Sequence, residues 1–155
     1  MDLFQNAKAV RLRSQHNEYL RAEEDEKTVT RHRDGSSKNA RWTVEFVPNS
    51  SNVIRLKSCF NKYLTASDQT SCCAKTDLRV LQTPGRLDSS LEWEPIKEGT
   101  HVKLKSRCDQ YLRANGGLLP FWCCFATRDS ALWAVDIVEV KAFHENLFQA
   151  VLNFS

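Results

Sequence analysis

Val10-Arg11-Leu12-Arg13-Ser14, followed by Tyr19-Leu20-Arg21-Ala22, is the stretch whose reading decides the fold, because the chain contains it three times. The second copy is Ile54-Arg55-Leu56-Lys57-Ser58 with Tyr63-Leu64-Thr65-Ala66, and the third is Val102-Lys103-Leu104-Lys105-Ser106 with Tyr111-Leu112-Arg113-Ala114. Serine to tyrosine and tyrosine to alanine keep the same spacing in every copy. Self-similarity of this kind marks a structural unit that cannot bury its apolar face alone and shares a core with its copies.

Within each copy apolar and basic residues alternate, which is the period of a half-buried strand and not of a helix. Val10 and Leu12 are expected to face inward, with Arg11 and Arg13 outward. The polar links Gln15 to Glu18, Cys59 to Lys62 and Arg107 to Gln110 have hairpin length, and Tyr-Leu-x-Ala starts the return strand. A tryptophan follows each copy. Ala40, Trp42, Val44 and Phe46 read as one face of the first tryptophan strand, and Trp133, Val135 and Ile137 as one face of the third. Pro95 follows Trp93 in the second and lacks an amide donor, which predicts an edge or a bulge there. Thr28-Val29-Thr30 with Asp34-Gly35, and Leu78-Arg79-Val80-Leu81 with Pro84-Gly85, supply a third strand and a turn to the fourth. In the third copy Leu118 to Phe125 is apolar without clean alternation.

The expected architecture is all-β, a β-trefoil spanning residues 8–140 as three four-stranded pseudo-repeats of about 8–51, 52–99 and 100–140. Closing the sheet removes exposed strand edges that would otherwise template aggregation. Residues 141–155 break the pattern. Phe143, Leu147 and Val151, with Phe148 and Leu152 beside them, form a helical stripe. It predicts a short C-terminal helical tail packing on the trefoil or fraying off it, with partner binding or self-association as the alternative. The structural core is expected to be Val10, Leu12, Leu20 and Trp42; Ile54, Leu56, Leu64 and Trp93; and Val102, Leu104, Leu112 and Trp133.

The 155 residues suit one domain that holds a core without disulfide or metal. Charged residues make up 26% and the net charge is +3, too small by itself to imply nucleic acid or membrane. Met1 to Ala9 lack the apolar run of a signal peptide, and no stretch is long enough to span a bilayer, so a cytoplasmic setting is expected. Cys59, Cys72, Cys73, Cys108, Cys123 and Cys124 are then expected as free thiols, with no CxxC or His-Cys spacing for zinc. Asn49-Ser50-Ser51 and Asn153-Phe154-Ser155 match the glycosylation sequon only by accident in that setting.

Several stretches resemble a known family: Lys8 to Ser14, Gly35 to Pro48, Ile54 to Ser58, Leu64 to Ser67, Arg86 to Pro95 and Leu112 to Gly117. They are similar to the fascin-like actin-cross-linking trefoils and, more closely, to a plant family of unknown function carrying this fold. The resemblance covers about 8–140. It implies a trefoil, a cytoplasmic setting and filamentous actin as a partner, and it implies no catalytic residues. The third unit departs from the family pattern by being short after Gly117, and the tail lies outside the motif.

Candidate binding residues are the outward bases Arg11, Arg13, Arg55, Lys57, Lys103 and Lys105, which suit an acidic partner such as actin or a phosphoinositide headgroup. The competing reading is six solvated strand positions. Rotation about a pseudo-threefold axis separates them into pairs, which weighs against one strong anion site. Glu23-Glu24-Asp25-Glu26 lacks the ligand alternation and glycine of a calcium loop, so it reads as solvated, with Arg31-His32-Arg33 pairing loosely to it. His16, His32, His101 and His144 sit in no nucleophile motif, and no phosphate loop, HExxH, GxSxG or QxW signature occurs. No enzyme activity, metal or cofactor is expected. Phe121, Trp122 and Phe125 read either as an exposed aromatic contact or as filling for the shortened third unit. The function classes that remain are an actin-associated binding module, a protein-interaction or regulatory scaffold without actin, and a lipid-headgroup or glycan binder.

Overall fold

A computed structural model describes residues 2–70, 78–85, 88–114 and 124–141. Twelve strands form one continuous sheet. The first lobe contributes β1 (Ala7–Arg13), β2 (Tyr19–Ala22), β3 (Val29–His32) and β4 (Trp42–Phe46). The second contributes β5 (Ile54–Lys57), β6 (Tyr63–Thr70), β7 (Leu78–Thr83) and β8 (Trp93–Glu98). The third contributes β9 (His101–Ser106), β10 (Tyr111–Ala114), β11 (Cys124–Thr127) and β12 (Trp133–Val140).

The first and fourth strands of each lobe close a barrel. β1 pairs with β4, β4 with β5, β5 with β8, β8 with β9, β9 with β12, and β12 returns to β1. The second and third strands form the hairpins β2–β3, β6–β7 and β10–β11. This is the β-trefoil, and it follows from the alternating pattern. Val10, Leu12, Leu20 and Trp42, and their counterparts in the other two lobes, are at most 1% exposed.

Two polar devices recur with the repeat and explain its invariant residues. The repeat serine accepts two backbone N–H groups with its hydroxyl. Ser14 Oγ takes those of His16 and Glu18, Ser58 Oγ those of Phe60 and Lys62, and Ser106 Oγ those of Cys108 and Gln110. The turn they enclose needs a left-handed residue, and Asn17, Asn61 and Asp109 occupy it with φ of 59°, 60° and 59°. Asn and Asp tolerate that region better than other non-glycine residues. In the second device each tryptophan N–H donates to the carbonyl of the repeat leucine: Trp42 to Leu20 at 3.1 Å, Trp93 to Leu64 at 3.0 Å and Trp133 to Leu112 at 3.0 Å. The indole therefore fills the core and ties the fourth strand to the second.

Several expectations are corrected. Ala40 is buried but belongs to a 3-10 turn, Lys38–Ala40, capped by Ser37, so it is not part of the strand. The second lobe repeats this turn at Ser89–Leu91, capped by Asp88. Of the two readings of Pro95, the edge holds and the bulge does not. β8 stays in register with β9 from Trp93 to Glu98, and β5 pairs with it only at Trp93, so the missing N–H costs no ladder bond on that side. Ile137, opposite Val10 at the end of the regular register of β12 with β1, is 45% exposed and so is not buried with Trp133. Arg31 does not join the acidic run. It is 3% exposed and pairs with Glu18 at 3.3 Å. A helical turn, Asp2–Gln5, precedes β1 and places Phe4 in the core, a contact with no periodic signal in the sequence. The expected tail beyond Lys141, Phe121, Trp122, Cys72, Cys73, Cys123 and His144 lie outside the described residues, and so does the side chain of Phe125.

Gly35 and Gly85 lie against the repeat tyrosines. A Cβ at Gly35 would sit 2.7 Å from the Tyr19 ring, and one at Gly85 would sit 2.8 Å from Tyr63. Gly35→Ala is expected to cost about 1–3 kcal/mol through displacement of Tyr19, read as a lower urea midpoint at unchanged slope.

Candidate functional site

Five of the six basic positions have an acidic neighbour among the described residues. Arg13 pairs with Asp136 at 3.9 Å, Arg55 with Glu92 at 3.5 Å and Lys57 with Glu45 at 3.8 Å. Lys103 pairs with Glu98 at 2.9 Å, and Lys105 with Asp109 at 3.3 Å and Glu94 at 4.0 Å. Arg11 is half-buried. Asp109 and Glu94 raise the Lys105 pKa, the Asp109 hydrogen bond contributing most. Each pair contributes little to stability, but together they neutralise the strand bases where they stand. The acids that do this lie mostly on the tryptophan strands (Glu45, Glu94, Glu98 and Asp136). The signal for them was the alternation of acids on the fourth strands opposite bases on the first.

The acidic run is organised by local bonds. Asp25 accepts the backbone N–H groups of Lys27 at 2.9 Å and Thr28 at 2.8 Å. Burial by itself would raise the Asp25 pKa, but the Thr28 and Lys27 hydrogen bonds outweigh it and the net shift is downward from 3.8. A lowered carboxylate stabilises the fold above its ordinary pKa, and that contribution is lost as pH falls through the folded value. Asp25→Asn is therefore expected to narrow, by a small amount, the gap between urea midpoints measured near neutrality and well below the carboxylate range. Among the described residues no group of His, Cys, Asp and Glu is placed to hold a metal. His32 accepts the Asp34 N–H at 3.0 Å, and His101 Nδ1 lies 3.1 Å from the exposed Thr100 hydroxyl.

The open concave surface lies between lobes. Equivalent residues line a groove at each of two lobe junctions, from the Tyr-Leu-x-Ala strand, the turn before the tryptophan and the first turn of the next lobe. At the junction of the second and third lobes its lining includes Thr65, Ala66, Ser90, Leu91 and Cys108, and its volume is about 610 Å³. The equivalent residues at the junction of the third and first lobes are Arg113, Ala114, Ser130, Ala131 and His16, and only about 50 Å³ remains there. At the first junction Asn39 stands where the second has Ser90, and Phe60 where it has Cys108. Asn39 is 3% exposed and donates to Ala22 O at 2.8 Å, and Phe60 packs against the core. The second junction thus has the smaller Ser90 and Cys108 where the first has Asn39 and Phe60. Sequence reading missed it because each residue is ordinary alone and only the lobe-to-lobe comparison shows the difference.

A family described as a beta-trefoil domain of unknown function, DUF569, matches residues 1–136. The chain belongs to the DUF569 family. The match supports the part of the resemblance that named a trefoil of unknown function, and it leaves the plant and fascin-like parts unaddressed. No curated protein matches the DUF569 chain. Solved structures share its fold. A Caenorhabditis elegans protein of unknown function is 16% identical with a TM-score of 0.70, covering 84% of this chain and 93% of that one. ThreeFoil, a designed threefold symmetric protein, is 16% identical with a TM-score of 0.69, covering 83% and 98%. A Polyporus squamosus lectin bound to a human-type influenza-binding epitope is 17% identical with a TM-score of 0.66, covering 85% of the DUF569 chain and 49% of the lectin. At these identities the likeness concerns the fold. No helix among the described residues of the DUF569 domain is long and apolar enough to cross a membrane.

Proposed function

We propose that this DUF569 domain is a non-catalytic binding module whose ligand occupies the open groove between the second and third lobes. The observation that carries the reading is the groove of about 610 Å³ between the second and third lobes, within the size range of ligand sites. The lectin among the structural neighbours supports a binding role for this architecture in general terms. The strand bases support it by exclusion, since their neighbours neutralise most of them.

The test refills the groove as the first lobe does. Cys108→Phe and Ser90→Asn place the Phe60 and Asn39 side-chain types at the second junction. Binding to whichever ligand emerges from peptide, glycan and vesicle panels is expected to fall at least about tenfold, with the thermal midpoint unchanged. Wild-type affinity in both filled variants sinks the reading. Filamentous actin, the partner implied by the resemblance, belongs in the same series as a co-sedimentation assay at low salt. Pelleting is expected to respond to groove filling and not to neutralisation of Arg13 or Lys103. No pelleting at low salt removes actin.

A further inference from the structure

Resting on the groove as the binding site, the hydroxyl protons of its lining indicate what it takes. Thr65 Oγ–H donates to Tyr63 O at 2.8 Å. Its 2.6 Å contact with Thr83 Oγ1 must then be donated by Thr83, because Thr65 has one proton and has already used it. Ser67 Oγ–H donates to Arg79 O at 2.5 Å, and Ser90 Oγ–H donates to the Asp88 carboxylate. Among the described residues every lining hydroxyl has its proton directed into the protein. Asp68, exposed on the rim, is an acceptor only and makes no ion pair among the described residues. The lining includes no Lys, Arg or His among the described residues. Between these acceptors lie Ala66, Leu78, Leu81, Pro84 and Leu91.

A surface of hydrogen-bond acceptors, a rim carboxylate and an apolar floor complements a donor group on an aliphatic stem. It repels phosphate, sulfate and carboxylate groups, which bring acceptors and negative charge of their own. We infer that the groove docks a partner polypeptide through a lysine or arginine side chain, with its methylene stem on the leucine floor and its charged head toward Asp68. Long basic side chains bury their stems while keeping the head hydrated, and an open groove permits this. A polypeptide fits better than a free amine because the groove is open along its rim, at Asp68 and Pro84, and leaves a small amine mostly in water. The chain's net charge of +3 disfavours indiscriminate capture of basic peptides, so binding that does occur reports the groove.

The experiment titrates the full chain, at physiological ionic strength, into a short fluorescein-labelled peptide of serine-leucine-lysine repeats and into a twin with glutamate in place of lysine. Fluorescence anisotropy is expected to rise for the lysine peptide alone. Asp68→Asn is expected to weaken binding about fivefold, and Cys108→Phe at least about tenfold. Equal or tighter binding of the glutamate peptide overturns the inference, and so does indifference to Asp68→Asn. Spermidine that competes as strongly as the peptide assigns the site to free amines and overturns the polypeptide part. If instead a glycan or an anionic vesicle binds and Cys108→Phe abolishes it, the donor class falls while the groove stands as the site.

Discussion

Trp93→Ala is expected to destabilise the domain by about 3–5 kcal/mol, seen as a fall in thermal midpoint of roughly 6–20 °C. Trp93 is fully buried, and its indole N–H donates to Leu64 O at 3.0 Å. Truncation therefore opens a cavity in the shared core and also leaves a buried carbonyl of the second strand without that donor. Because the tryptophan joins the fourth strand of its lobe to the second, the loss loosens the connection between barrel and hairpin as well as the packing. Trp93→Phe separates the two effects, keeping most of the volume and losing the hydrogen bond. It is expected to fall well short of the alanine loss. An alanine variant with a wild-type urea midpoint would refute the role given to this side chain. Since whole domains are stable by only about 5–15 kcal/mol, the alanine variant is expected to approach unfolding at physiological temperature.

Gln82→Met is expected to cost about 2–4 kcal/mol although it nearly preserves shape and removes no apolar contact. Gln82 is 2% exposed and joins two lobes. Its Nε2 donates to Glu23 O at 2.9 Å and to Thr28 O at 3.2 Å, its Oε1 accepts from Ser58 Oγ at 2.8 Å, and its backbone N–H donates to Lys27 O at 2.9 Å. The thioether keeps the volume and supplies neither donor nor acceptor of comparable strength, so the buried Ser58 hydroxyl loses its acceptor and Glu23 O keeps only the Glu26 N–H. Hydrogen exchange gives the more specific reading. The amides of Glu26, which donates to Glu23 O, and of Gln82 are expected to exchange faster, while those of β9 and β12, away from this contact, keep their relative protection. Uniform acceleration everywhere would mean that the variant lowers global stability without acting through the loop at 23–28.

How much of this was legible follows from the range of each interaction. Alternation of Val10, Leu12 and their repeats with bases identifies strands because it needs only the two-residue period of the chain itself. The third lobe's hairpin was less legible: β11, Cys124–Thr127, sits in an apolar stretch with no alternation, and pairing with β10 and β7 decides it. The repeat serine was visible as an invariant letter, but its reason, two accepted N–H groups around a left-handed residue, is a property of the folded turn. The bases were visible and their neutralisation was not, since Lys105 and Glu94 are opposite one another only through the register of β9 with β8. Gln82 and Arg31 occupy equivalent buried positions and carry no pattern at all in the sequence.

The sequence by itself determined the threefold architecture, the burial of its repeat leucines and tryptophans, and membership of a family of β-trefoils. These depend on periodicity and on repetition, which are written along the chain. Only the tertiary structure decided which surface is open to a ligand. The junctions come from the same repeat; the second differs from the first by Ser90 against Asn39 and Cys108 against Phe60, and from the third by Thr65 against Arg113 and Cys108 against His16, residues from neighbouring lobes that meet only when the barrel closes.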